Sequence, residues 1–185
     1  MVVVVIIGIL AALALPQIAS QMRERRANQA AQQIALIYRN ARLRALGRGS
    51  AVLVNYTATG GFQVLEALPS ITNCTLPRLP VSCANMTWTV PTSTRTVEQF
   101  NPVASSASRQ LYDGVTIAVT AKPSGTVATV LDVCFSPRGS AYTRVAAASP
   151  LTAMAGTFDI NVARGSNTQQ RHVSLLPNGM ARLAL

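Results

Sequence analysis

The first sixteen residues, Met1-Val-Val-Val-Val-Ile-Ile-Gly-Ile-Leu-Ala-Ala-Leu-Ala-Leu-Pro16, carry neither charge nor amide, and they constrain the chain more than any other stretch. Fully burying side chains of this kind is worth roughly 1.5–3 kcal/mol each, so the run has to enter a membrane, a partner or a core. As a helix rising about 1.5 Å per residue it reaches roughly 22 Å, against a hydrocarbon core of about 30 Å that usually takes about 20 residues. The run is therefore expected to be the later part of a longer apolar helix that starts upstream of Met1. A cleaved signal peptide fits poorly, because no basic segment precedes the run and Pro16-Gln17-Ile18 is not a small-residue cleavage site.

From Ile18 to Leu46 there is no proline or glycine, and alanine, arginine, glutamine and leucine dominate, which predicts helix. Ile34, Ile37, Ala41 and Ala45 recur at three- and four-residue spacing and define a face to pack on a sheet. Leu36 and Leu43 fall on another side. Two readings are open for them, a broadened core face or contact with neighbouring subunits. Pro16 is expected to kink or interrupt the helix, and Gly47 and Gly49 to end it.

Charge is uneven along the chain. Sixteen basic residues face six acids, for a formal net charge of +10. Between Gln17 and Gly49, Arg23, Arg25, Arg26, Arg39, Arg42, Arg44 and Arg48 oppose Glu24 alone, a net of +6, while the remainder carries +4. Cations just beyond an apolar segment are worth about 1 kcal/mol each near anionic lipid. By the positive-inside rule, Arg23–Arg26 alone would hold the body of the chain in the cytoplasm.

Beyond Ser50, threonine, serine, valine and alanine favour strands over further helix. Val52, Val54 and Tyr56 alternate, and Thr59-Gly60-Gly61 turns into Phe62–Leu65, a hairpin signature. Residues Pro69 to Asn101 hold four prolines and read as a long surface loop with one short strand around Met86–Val90. Strands are then expected at Val115–Ala121, Thr126–Phe135, Thr157–Ala163, His172–Leu176 and Met180–Leu185, with turns at Lys122–Gly125, Pro137–Gly139, Arg164–Asn167 and Pro177–Gly179. Val133–Ala141 and Ser174–Ala181 share a strand, Pro-x-Gly turn, strand pattern, which turn chemistry explains without an internal repeat. Cys74 and Cys83 are the expected disulfide, flanking a proline-containing interval, with Cys134 as a buried free thiol, although other pairings stay open. There is no zinc spacing.

Met1–Pro16, with Gly8 and Pro16 in place, resembles the N-terminal helix of type IV pilins and type II secretion pseudopilins. Arg39–Val54, together with Phe135-Ser-Pro-Arg-Gly and Leu176-Pro-Asn-Gly, is similar to the GspH/FimT-like minor pilins and pseudopilins within that superfamily. The resemblance implies an α+β, pilin-like fold: a long N-terminal helix, membrane-inserted in its first half, packed on antiparallel sheets. It divides the chain into a transmembrane part at 1–16, an amphipathic half at 17–47 and a β-rich globular region at 48–185. Val2, Val5, Ile6, Gly8, Ile9, Leu13 and Pro16 would then form the membrane and assembly helix. It further implies a basic leader and a prepilin peptidase site upstream, a methylated N-terminus, and a single-pass inner-membrane protein whose globular region faces the periplasm before entering a pilus or pseudopilus. The partners implied are other pilins or pseudopilins, inner-membrane lipid and the inner-membrane assembly platform.

Catalysis has little support. His172 is the only histidine, set between Arg171 and Val173 on an expected strand, and the acids are scattered. No P-loop, nucleophile elbow or metal-binding helix motif is present, and no cofactor is expected. The alternative to pure assembly is DNA binding, since some relatives in the resembled subgroup are implicated in DNA uptake. Its candidate contacts are Arg138, Arg144, Arg164, Arg171 and Arg182, through phosphate and without base stacking. A periplasmic enzyme is the less favoured third reading.

Overall fold

The computed structural model describes residues 2–68, 82–84, 88, 93–102, 112, 114–164 and 170–184, with side chains from Glu24 onward apart from that of Arg164. Among these residues one helix, α1 (Val2–Arg48), precedes eleven strands: β1 (Val52–Thr57), β2 (Gly61–Ala67), β3 (Thr94–Phe100), β4 (Val115–Lys122), β5 (Val127–Ala128), β6 (Val130–Phe135), β7 (Ala141–Arg144), β8 (Thr152–Ala153), β9 (Thr157–Arg164), β10 (Arg171–Leu175) and β11 (Ala181–Ala184). They form a six-stranded sheet in the order β3-β2-β1-β6-β7-β8 and a five-stranded sheet in the order β11-β10-β9-β4-β5. Every pairing is antiparallel. The expected α+β architecture is the observed one.

Helix α1 is not interrupted at Pro16. A proline removes only one amide donor, and the bonds of the flanking turns carry a long helix past that gap. It ends where the sequence predicts: Gly49 adopts φ +64 and donates its amide to the Ala45 carbonyl, the left-handed cap that glycine takes without strain. At about 1.5 Å per residue α1 is roughly 70 Å long, whereas the longest strands, at about 3.3 Å per residue, reach roughly 27 Å. Among the residues whose side chains are described, the buried positions from Ala27 to Ala45 mark the docked length.

On that length Ala27, Ala30, Ala31, Ile34, Ile37, Tyr38, Ala41 and Ala45 are buried, including all four residues of the predicted stripe. Six alanines between Ala27 and Ala45, Ala35 among them, leave no bulk between backbone and sheet, so helix and strands approach closely. The inner faces of both sheets close over this side. Val52, Val54, Tyr56, Phe62, Val64, Leu131, Val133 and Phe135 come from the larger sheet, and Val119, Phe158, Ile160, Val162, Val173 and Leu175 from the smaller. Tyr38 and Tyr56 both contact the Phe62 ring, which stacks on Phe100 at 6.3 Å. The Tyr56 hydroxyl donates to the Ile117 carbonyl and joins one sheet to the other.

The outer face of the larger sheet carries a second core of Ala51, Leu53, Leu65, Ala67, Cys83 and Cys134, with Trp88, Tyr142 and Leu151 packed against it. A disulfide joins Cys83 to Cys134. This corrects the expected Cys74–Cys83 bridge and the free Cys134. Cys134 sits in central strand β6 with its side chain on the outer face, beside Leu53 of β1 in register, and the segment carrying Cys83 packs there. Cys74 lies outside the described residues.

Two strand boundaries also differ from expectation. The apolar run Thr126–Phe135 divides at Thr129, so that β5 pairs in the smaller sheet and β6 in the larger. The end of the expected long loop is strand β3, whose sequence TRTVEQF is polar because it lies on the edge, where charges discourage further pairing. Of the expected strand Met86–Val90, only Trp88 is described, outside any strand. The two Pro-x-Gly hairpins share one geometry. In each, the residue before proline donates its amide to the carbonyl four positions on, and the glycine amide donates back to it. Gly139 and Gly179 take φ +83 and +75, the left-handed residue of a type I turn with a bulge.

Candidate assembly surface

Three sides of α1 have different surroundings. The side opposite the core presents Leu36 and Leu43, which are 46% and 66% exposed. A broadened core face is therefore excluded; the apolar stripe has one buried side, and these two leucines, one heptad apart, face outward. Burying them would stabilise any complex that covered them, by roughly 1.5–3 kcal/mol per side chain at most.

One flank of α1 meets strands β2 and β3. Glu66, almost wholly buried, takes a hydrogen bond of 2.7 Å from Arg44 Nε and one of 2.9 Å from Arg95 Nη2, with Arg48 at 3.5 Å. Burial disfavours the charged carboxylate, but the hydrogen bonds from Arg44 and Arg95 and their charges outweigh it and hold Glu66 below the ordinary carboxylate range. Two of the helix arginines are thereby committed to the fold. Above this cluster a groove of about 320 Å³ runs between helix and sheet, floored by Ile37, Ala41, Val64 and Val97 and rimmed by Asn40, Leu43, Arg44 and Glu98. Gln33 donates to the rim residue Glu98.

The other flank meets the two hairpin turns. Arg39 donates from Nε and Nη2 to the Ala181 carbonyl at the foot of the β10–β11 hairpin. Arg42 and Leu46 lie against Gly139 in the β6–β7 turn, where an added Cβ would stand 3.3 Å from Leu46 Cδ2 and 4.0 Å from Arg42 Nη2. The turns also touch each other: a Cβ on Gly179 would stand 2.8 Å from the Phe135 ring.

The arginines proposed to hold nucleic acid are distributed over several strands and turns. Arg138 is exposed on the β6–β7 turn. Arg144 pairs with Asp132, which is wholly buried on the outer face of the larger sheet and also accepts a hydrogen bond from Asn55. Arg171 shares the inward parity of Val173, whereas Arg182 pairs in register with Ser174 and shares the outward parity of Ala184. Arg171 and Arg182 thus lie on opposite faces of one sheet. Arg164 closes β9. Of the expected helix residues Val2, Val5, Ile6, Gly8, Ile9, Leu13 and Pro16, all lie within α1, and no helix of the described residues is long and apolar enough to cross a membrane.

His172 lines an open groove of about 360 Å³ on the outer face of the smaller sheet, with Thr120, Lys122, Asp159, Asn161, Ser174 and Ala184. Its Nδ1 lies 2.5 Å from Asn161 Oδ1, and the Ser174 hydroxyl donates to Asp159, which is paired with Lys122. Burial opposes the charge on Asp159, yet the hydrogen bonds from Lys122 and Ser174 hold it below the ordinary range, which makes it a weak base. Serine and histidine each bond to other partners, so the nucleophile and base of an acyl-transfer site are not joined here.

No family model matches the chain, and no curated protein matches it. Among solved structures, the chain is similar to the type IV minor pilin FimU of Pseudomonas aeruginosa in two crystal forms. The first is matched at 13% identity and a TM-score of 0.49 over 88% of this chain and 90% of FimU. The second is matched at 13% identity and a TM-score of 0.46 over 85% and 92%.

Proposed function

We propose that this chain is a structural subunit of a type IV pilus or a type II secretion pseudopilus, a minor pilin or pseudopilin whose work is assembly and not chemistry. The single observation that carries the reading is a helix of 47 residues that opens on an apolar run and whose docked part, from Ala27 to Ala45, still presents Leu36 and Leu43 outward. A chain that folded for itself alone would have no use for either feature. The apolar run Val2–Leu15 continues into that helix, and it supports anchoring of residues 1–16 in the inner membrane before they pack among other subunits. The Cys83–Cys134 disulfide supports a globular region outside the cytoplasm, because such bridges persist in oxidising compartments. A basic leader upstream of Met1, removed by a prepilin peptidase, would reconcile that placement with Arg23–Arg26.

The test is incorporation. Leu36→Asp and Leu43→Asp, made in the full-length gene, are expected to leave the melting temperature of the globular region unchanged and to remove the subunit from sheared filaments. Co-purification with pilus or with secretion subunits identifies the machine. Variants that enter filaments like the wild type, or a wild-type chain recovered only as a monomer, would overturn the reading.

A further inference from the structure

We infer that the flank of α1 beside the two hairpin turns is a docking surface for an acidic subunit of a different sequence, not for a second copy of this chain. The inference rests on the assembly reading and names the partner. Arg39, Arg42, Leu43 and Leu46 are linked by three- and four-residue spacings and so form one patch on the helix surface. Arg138 joins it from the β6–β7 turn, next to the glycine that Leu46 and Arg42 contact. Leu43 and Leu46 are 66% and 46% exposed. Among the described residues none of the three arginines has a carboxylate partner, and Arg42 Nε is buried without any hydrogen-bond acceptor. An apolar centre edged by unneutralised guanidinium groups matches a partner with an apolar anchor ringed by Asp or Glu, since arginine forms paired bonds to carboxylates.

Charge argues against self-association. The chain carries +10 overall. Among the described residues Glu66, Asp132 and Asp159 already face arginine or lysine, so that only Glu24 and Glu98 are free of a cationic partner. A second copy would offer, of the described acids, only Glu24 and Glu98 to these arginines. Nucleic acid is disfavoured because a phosphate backbone would engage the arginines and leave Leu43 and Leu46 in water. Lipid headgroups are disfavoured by distance, since Arg39 lies roughly 35 Å along the helix beyond Pro16.

The experiment places the photocrosslinker p-benzoylphenylalanine at Leu43 or at Arg138 in the full-length protein, in cells that assemble filaments, with Val127 as an exposed position away from α1. Mass spectrometry of the adducts reads the partner. The expected adducts at Leu43 and Arg138 are to another filament subunit, on a peptide with more Asp and Glu than Lys and Arg. Combining Arg42→Glu with Arg138→Glu should lower the Leu43 adduct at least tenfold, while Arg171→Glu leaves it within twofold. Adducts to this same chain, to nuclease-sensitive material or to lipid would overturn the inference. So would filament incorporation with adducts at Val127 and none at Leu43 or Arg138, an outcome that leaves the assembly reading standing. A chain absent from filaments sinks both.

Discussion

Breaking the Cys83–Cys134 bridge tests the correction that the structure makes to the cysteine pattern. The bond spans 51 positions in sequence. In the chain-entropy model a loop of that size constrains the unfolded state by about 4 kcal/mol, whereas a Cys74–Cys83 bridge would be worth only about 2.6 kcal/mol. Replacing one cysteine by alanine adds little beyond the lost cross-link, because alanine is small and apolar in an already apolar cluster. Cys83→Ala and Cys134→Ala should therefore each cost about 4 kcal/mol, and the double variant about the same, since either single change removes the whole bond. For a folded region of this size that is a fall of roughly 10–15 °C in melting temperature. The assay is urea unfolding of the chain in detergent, followed by tryptophan fluorescence, because Trp88 packs against the bridged cluster and reports its opening. Reductant should bring the wild type to the stability of the variants and leave the variants unchanged. If Cys134→Ala costs less than about 1 kcal/mol while Cys74→Ala destabilises, the pairing described here is wrong.

Other substitutions separate fold from surface. Arg144→Met strands the buried Asp132 carboxylate and should cost about 3 kcal/mol by urea unfolding, whereas Arg138→Met should change stability by less than about 0.5 kcal/mol. Gly179→Ala puts a side chain at φ +75 against Phe135 and Ala141 and should cost about 2–4 kcal/mol; Gly125→Ala, with φ +71 but open space around it, should cost about 1–2 kcal/mol. Glu66 and Asp159 are both held below their unfolded carboxylate range, so their contribution is present above about pH 4.5 and is lost as pH falls through their folded values. Glu66→Gln should flatten that acid limb of the stability curve, and a limb unchanged by the substitution would refute the assignment.

What could be read from residues alone follows from how local each cause is. The stripe Ile34, Ile37, Ala41 and Ala45, the Gly49 cap and both Pro-x-Gly turns depend on spacing and dihedral preference, and they stand where the sequence places them. Strand β3 was hidden because an edge strand need not alternate; its pairing with β2 is decided by the partner and not by TRTVEQF. The division of Thr126–Phe135 was hidden for the opposite reason. A continuous apolar run fits one buried strand or two, and only the placement of the sheets chooses. The disulfide belongs with these, because proximity in sequence favoured Cys74 for Cys83 and proximity in space favoured Cys134.

The candidate surface was half legible for a related reason. Leu36 and Leu43 departed from the stripe in the sequence itself, which was enough to ask whether they faced outward. The arginines gave no such signal, because a guanidinium beside a helix reads the same whether it neutralises a buried acid or waits for one. Arg44 and Arg48 are gathered with Arg95 onto Glu66, 18 and more positions further along the chain, and Arg144 onto Asp132. Once these are subtracted, Arg39 and Arg42 on α1 and Arg138 on the turn that α1 touches are among the arginines left without a carboxylate in the described region, and Leu43 and Leu46 lie beside them on the helix. A net charge therefore says little about a partner until the internal pairs are removed. The residual, not the total, is what an incoming subunit encounters.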